Sequence, residues 1–250
     1  MVTFRPLPGI DLVVETAPDT PDADRWFSDR IAEEAAAIRA RTGRPPLIAL
    51  SGGSTPGPVY EALARDQANL VQTAFWCQTD ERDVPPDHPD SNQGLIRRTL
   101  FRTGPDTEIP HFLAVPLPTA APEATGRRYA ARLAAHLART GASGIDLVLL
   151  GIGNDGHTAS LFPDADWRFA TAAPFRAIRV PHLGGFRYTL TLPSLIGACR
   201  RIFLARGSSK SSVIYRIIHD TEGAYPAGVV SQCPATLWLL DEAAAANLPR

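Results

Sequence analysis

The run Gly151-Ile152-Gly153-Asn154-Asp155-Gly156-His157-Thr158-Ala159-Ser160-Leu161-Phe162-Pro163 puts an imidazole two residues after a carboxylate in a glycine-rich segment. A histidine titrates near neutral pH, so His157 is a candidate to take a proton from water and return it to a leaving group. Asp155 is a candidate to orient that ring and stabilise its protonated form. The run also spells G-x-G-x-x-G, the dinucleotide fingerprint. Asp155 would repel a pyrophosphate there, and no acidic residue ends a second strand about 20 residues on, where a ribose hydroxyl requires one. The bland alternative, a histidine capping a helix and an aspartate closing a turn, stays open at this level.

Two more clusters suit an anion. In Ser51-Gly52-Gly53-Ser54-Thr55-Pro56-Gly57 the paired glycines allow a tight turn with exposed N–H groups. Thr55 is the expected N-cap and Pro56 the expected first helical residue, so a helix dipole adds to the attraction. No Gly-Lys-Ser/Thr follows, which excludes a Walker A loop, and Pro56 stands where a nucleophile elbow needs glycine. Asp80-Glu81-Arg82 is costly if buried unpaired. It reads either as a solvated turn or as a site where Arg82 forks onto a phosphate or carboxylate. Ser91-Asn92 either caps the next helix or supplies polar contacts to a ligand. No metal-ligand spacing occurs, so no metal is expected.

These clusters need strands to end where they begin. Asp11–Glu15, Leu47–Ser51, Thr73–Thr79, Ile145–Leu150, Arg176–Val180, Arg187–Leu192, Arg201–Ala205 and Thr236–Leu240 read as strands. Residues 21–41 read as a helix, with Phe27, Ile31, Ala35 and Ile38 on one face. Further helices are expected over 56–68, 92–101, 122–140, 208–219 and 241–247. Gly141 is the C-cap signal of the fourth of these six. Apolar strands separated by helices imply a single doubly wound, mainly parallel α/β sheet with helices on both faces. No linker or repeat interrupts it, so residues 1–250 are expected to form one domain. Ligands in such folds sit at the carboxyl ends of strands, where all three clusters lie.

Composition narrows the function classes. With 25 cationic and 26 acidic side chains there is no basic excess to neutralise phosphates along a nucleic acid. No apolar stretch approaches the roughly 20 residues that cross a bilayer, and no signal peptide is visible. Cys77, Cys199 and Cys233 are odd in number and widely spaced, as expected of reduced thiols in a cytoplasmic protein. Of the 25 cations, 24 are Arg and one is Lys210.

Taken together, LIALSGGSTPG, TDERDVPPDHPDSNQG, DLVLLGIGNDGHTASLFP, RYTLTLPSL, Lys210 and LWLLDEAAA resemble, in order and spacing, the 6-phosphogluconolactonases. These sit within a larger group that includes the glucosamine-6-phosphate deaminases. The resemblance covers most of the chain. It implies a Rossmann-like fold of the deaminase, ribose-5-phosphate isomerase and CoA-transferase type. It also implies metal- and cofactor-free hydrolysis of 6-phospho-D-glucono-1,5-lactone, a small-molecule phosphosugar lactone, by a monomer or homodimer that binds neither nucleic acid nor membrane.

The implied site has His157 and Asp155 as catalytic residues. Gly52, Gly53, Ser54, Thr55, Asp80, Arg82, Asn92, Gly153, Arg187 and Lys210 are the implied substrate contacts. Within that set, Gly52–Thr55, Arg82, Arg187 and Lys210 are expected to hold the phosphate. The alternative is a phosphosugar deaminase or isomerase. That subgroup carries an Asn-Glu-Pro segment after its histidine, where this chain has Leu161-Phe162-Pro163 and no carboxylate. The chain also has Asn154 where the family's wording usually has proline.

Overall fold

The computed structural model describes residues 2–7, 10–17, 23–169, 171–220 and 222–248. The expected helix start at Pro21 and Asp22 lies outside them. In chain order the elements are β1 (Val2–Leu7), β2 (Ile10–Thr16), α1 (Ala23–Thr42), β3 (Leu47–Leu50), α2 (Pro56–Asp66), α3 (Ala68–Thr73), β4 (Phe75–Gln78) and β5 (Asp80–Arg82). There follow α4 (Asn92–Ile96), β6 (Phe112–Leu113), α5 (Pro122–Thr140), β7 (Leu147–Leu150), β8 (Phe175–Val180), β9 (Gly185–Leu190), α6 (Leu192–Ile196), β10 (Arg200–Ala205), α7 (Ser211–Ile218), α8 (Pro226–Ser231) and β11 (Thr236–Leu240).

Eight strands form one sheet in the order β1-β2-β11-β10-β7-β3-β4-β6. Every pairing is parallel except β1 on β2. The doubly wound, mainly parallel architecture expected from the sequence is thus present. Because side chains alternate along a strand, the central strands feed two cores. Leu47, Ala49, Val148, Leu150, Phe203, Ala205, Trp238 and Leu240 face one layer, which includes Tyr129 and Leu133 of α5 and Val213 and Ile217 of α7. Ile48, Leu50, Leu147, Leu149, Ile202, Leu204, Leu237 and Leu239 face the other, covered by α1 and α2. Phe27, Ile31, Ala35 and Ile38 are the buried stripe of α1, as the spacing predicted.

Three differences from the sequence reading matter. First, β5, β9 and β8 form a separate antiparallel sheet, so Asp80-Glu81-Arg82 is a short strand, not a turn. Second, residues 241–247 form turns instead of a helix. Asp241 caps the Ala244 N–H at 2.8 Å and also takes the Gly207 N–H, which ties the alanine run to the end of β10. Third, the helix expected over 92–101 is α-helical only to Ile96, then makes a π-helical turn over Arg97–Phe101 that ends at Arg102 with φ +54°.

Asp146, fully buried, joins the entries to β3 and β7. It accepts both Arg44 terminal nitrogens at 2.7 Å and the Leu47 N–H at 2.8 Å. Removing one partner of such a pair strands the other charge. Arg44→Met should therefore cost about 3 kcal/mol and lower Tm by roughly 6–12 °C for a chain of this size. Arg44→Met/Asp146→Leu should regain much of the loss in a thermal melt. A single variant melting within about 1 °C of wild type would contradict a pairing of that strength.

Candidate functional site

From β3 the chain steps outward to β4 and then β6; from β7 it steps the other way, to β10 and β11. The reversal leaves a crevice beyond the carboxyl ends of β3 and β7, the place where open α/β sheets bind ligands. A cavity of about 240 Å³ lies there. Ser51, Gly52, Gly53, Ser54, Thr55, Asp80, Arg82, Asn92, Gly153, His157 and Lys210 are among its lining residues. Of the implied site, only Asp155 and Arg187 are absent from the wall. Asp155 sits behind His157, and Arg187 pairs with Arg82 across β5 and β9.

The His157 loop is tightly specified. Asp155 Oδ1 lies 2.6 Å from His157 Nδ1 and also accepts the His157 N–H at 3.2 Å. Burial raises the Asp155 carboxyl, but the charge of His157 and these N–H bonds outweigh it and hold it below its usual range. On its other side the imidazole packs against Phe162, with ring centroids 4.5 Å apart. The loop closes through Gly153 N–H to His157 O at 2.9 Å. A Cβ on Gly153 would lie 2.1 Å from His157 Nδ1 and 2.3 Å from Asp155 Oδ1, so only glycine leaves room for the pair.

The Gly52 loop is shaped differently from expectation at one point. Pro56 does begin α2, but Thr55 is already αR and its side chain makes no capping bond. Its hydroxyl is therefore available to the cavity. The Gly52, Gly53 and Ser54 N–H groups find no acceptor among the described residues. Asn92 Oδ1 occupies the space a Gly52 side chain would take, 1.7 Å from that Cβ position, while its Nδ2 donates to Asp80 O at 2.9 Å. Ser91 and Asn92 divide the two roles read for them. Ser91 Oγ caps α4 by accepting the Gly94 N–H, and Asn92 faces the cavity.

In β5 side chains alternate, so Asp80 and Arg82 share the cavity face and Glu81 points away. Glu81 is fully buried. It accepts the N–H groups of Arg82, Asn92 and Gln93 at 2.8, 2.7 and 2.6 Å, and Gln78 Nε2 at 2.8 Å. Burial pushes its carboxyl up against the pull of those donors. The sequence reading missed this carboxylate as the anchor of the site's wall. Its Asn92 and Gln93 donors lie 11 and 12 residues on, so no local spacing marks it. Asp80 carries a hydroxyl on each oxygen, from Thr79 and Ser160, both at 2.9 Å.

The cations are the site's clearest signal. Among the described residues, Arg82, Arg187 and Lys210 form no salt bridge with a carboxylate. Arg82 donates to Asp90 O at 2.6 Å and Arg187 to Phe186 O at 2.9 Å. Lys210 donates to Ile152 O at 3.0 Å and Asn154 Oδ1 at 2.8 Å. Burial and the neighbouring Arg82 both disfavour the charge on Arg187, and burial lowers the Lys210 ammonium against a smaller pull from Asp155. Half-buried cations with only neutral partners suit an anionic ligand. No group of three metal-ligating side chains is found among the described residues, nor a helix long and apolar enough to cross a membrane.

The chain is similar to known proteins in sequence and in fold. Residues 19–238 match the family model for glucosamine-6-phosphate isomerases/6-phosphogluconolactonase. A 6-phosphogluconolactonase of Synechocystis sp. is 39% identical over 209 residues, 80% of this chain and 84% of that protein. One from Rattus norvegicus is 36% identical over 254 residues, 96% of this chain and 94% of that protein. The solved structure of 6-phosphogluconolactonase from Trypanosoma cruzi superposes with a TM-score of 0.79 at 28% identity, covering 95% of this chain and 97% of that one.

Proposed function

The chain belongs to the family of glucosamine-6-phosphate isomerases and 6-phosphogluconolactonases, and we propose that it hydrolyses 6-phospho-D-glucono-1,5-lactone to 6-phospho-D-gluconate in the oxidative pentose phosphate pathway. The observation that carries this reading is one cavity holding a His–Asp pair at one wall and carboxylate-free cations, with free loop N–H groups, at the others. The substrate has the matching halves, an ester carbonyl and a phosphate dianion.

In this mechanism Gly52–Thr55, Arg82 and Lys210 hold the phosphate. Arg187, paired with Arg82 across β5 and β9, adds positive charge beside it. Asp80 and Asn92 accept and donate to the sugar hydroxyls, and Gly153 leaves room for the His157–Asp155 pair at the cavity wall. Fixing the phosphate places the carbonyl carbon beside His157, a proximity effect worth several kcal/mol in well-oriented reactions. His157 takes a proton from water as the water oxygen bonds to C1. The tetrahedral intermediate then collapses, the bond from C1 to the ring oxygen breaks, and His157 returns the proton to that oxygen. Asp155 holds the ring and steadies its cationic form. Lactones hydrolyse unaided in water, so a single base suffices without a covalent nucleophile. A cytoplasmic setting fits three unpaired cysteines.

The test follows disappearance of freshly made 6-phosphogluconolactone, with the spontaneous rate subtracted, and ammonia release from glucosamine 6-phosphate as control. Acceleration of the first alone is expected. Ammonia release without lactone hydrolysis would make the protein a deaminase, and no acceleration of either would overturn the reading.

A further inference from the structure

The loop that carries His157 is suspended from the connection between β10 and β11. Lys210, just before α7, uses two of its three N–H donors on this loop, at Ile152 O and Asn154 Oδ1. Arg216 of α7 reaches Asn154 O at 3.4 Å. Ala227 donates its N–H to Gly156 O at 3.2 Å, and the Tyr225 ring fills the space beside Gly156, whose φ is +87°. These contacts bracket Gly153, against which the His157 ring and the Asp155 carboxylate lie. Lys210 also lines the cavity. The same ammonium therefore meets the ligand space and the backbone that sets the imidazole.

We propose that Lys210 and Asn154 are positioning residues for His157, acting through the loop they brace and independently of any contact between Lys210 and the phosphate. This rests on the reading of His157 as the base. A lysine that served only as a phosphate contact would need no partner on the opposite loop. Here its stem spans from the end of β10 to the loop after β7, and the neutral side chain of Asn154 meets it without cancelling its charge. Asn154 itself does not line the cavity, so its effect on turnover would have to pass through the loop.

A lactone without a phosphate separates the two roles. On D-glucono-1,5-lactone, Lys210→Met has no phosphate contact to lose. The brace predicts that Lys210→Met and Asn154→Ala each lower kcat/KM on this substrate about tenfold, with both variants folded by circular dichroism. A second readout needs no turnover. The side-chain ¹⁵N signals of His157, identified by their loss in His157→Asn among six histidines, should shift or broaden in both variants without ligand. Wild-type rates on the unphosphorylated lactone together with unmoved His157 signals would overturn the proposal. If Lys210→Met does not fold, Asn154→Ala decides by the same two measurements. If wild type hydrolyses neither lactone, the proposed function falls, and the NMR comparison alone still supports or overturns the brace.

Discussion

His157→Asn should lower kcat on 6-phosphogluconolactone by roughly 10²-fold or more, the usual contribution of a positioned general base. Asn is close to the imidazole in size and keeps a hydrogen-bonding nitrogen, but it cannot accept and return a proton near neutral pH. The site is arranged so that little else changes. Asp155 engages the backbone N–H of residue 157 as well as the ring, so the loop retains one of its two carboxylate bonds in the variant. The residue's side chain is 32% exposed, which leaves no large cavity in the core. KM should stay within a few-fold of wild type, because the phosphate contacts are elsewhere. Near wild-type turnover in a folded variant would remove His157 from the mechanism. Burial opposes the charge on Asp155, but the charge and N–H bonds of His157 lower its carboxyl, so it stays ionised to lower pH than an ordinary aspartate. Its bond to the ring is lost only as the pH falls through that lowered value. Activity lost at higher pH than this reports another group.

Gly153→Ala should be nearly as damaging, although it adds only a methyl group. The new carbon would lie 2.1 Å from His157 Nδ1 and 2.3 Å from Asp155 Oδ1, well inside contact distance, so the two must separate or the loop must move. Either response breaks the 2.6 Å bond that orients the base. We expect a loss of roughly 10²-fold in kcat, of the order seen when a general base is lost. Because the two changes act on one unit, Gly153→Ala/His157→Asn should be no worse than His157→Asn alone within a few-fold. Multiplicative losses in the double variant would show that Gly153 acts on something besides the pair.

Much of this site was legible because its chemistry sits in contiguous runs at strand ends. The stretches 51–57 and 151–157 each follow a buried strand, and a parallel sheet brings such ends together. What escaped depended on distance along the chain or on shortness. Glu81 is paired with donors 10 to 12 residues away, and no local spacing announces that. A three-residue strand such as β5 has too little sequence to show a period, so the cross-strand pairing of Arg187 with Arg82 could not be read from it. The alanines at 243–246 favour a helix by propensity, yet the Asp241 carboxylate takes the Ala244 N–H and the Gly207 N–H, and the segment makes turns, a tertiary tie that local propensity does not show.

The position of β11 bears on the order in which the molecule can be built. This strand pairs on one side with β10 and on the other with β2, so the β1–β2 hairpin reaches the rest of the sheet only through a strand near the other terminus. On the ribosome, residues 2–16 emerge first and must wait for residues 236–240 before they gain their parallel neighbour. Segments with so large a sequence separation close late, because the loop-closure entropy comes before the contacts. The hairpin therefore keeps an open strand edge until residues 236–240 arrive, and joining it to the rest of the sheet is the last pairing the topology allows.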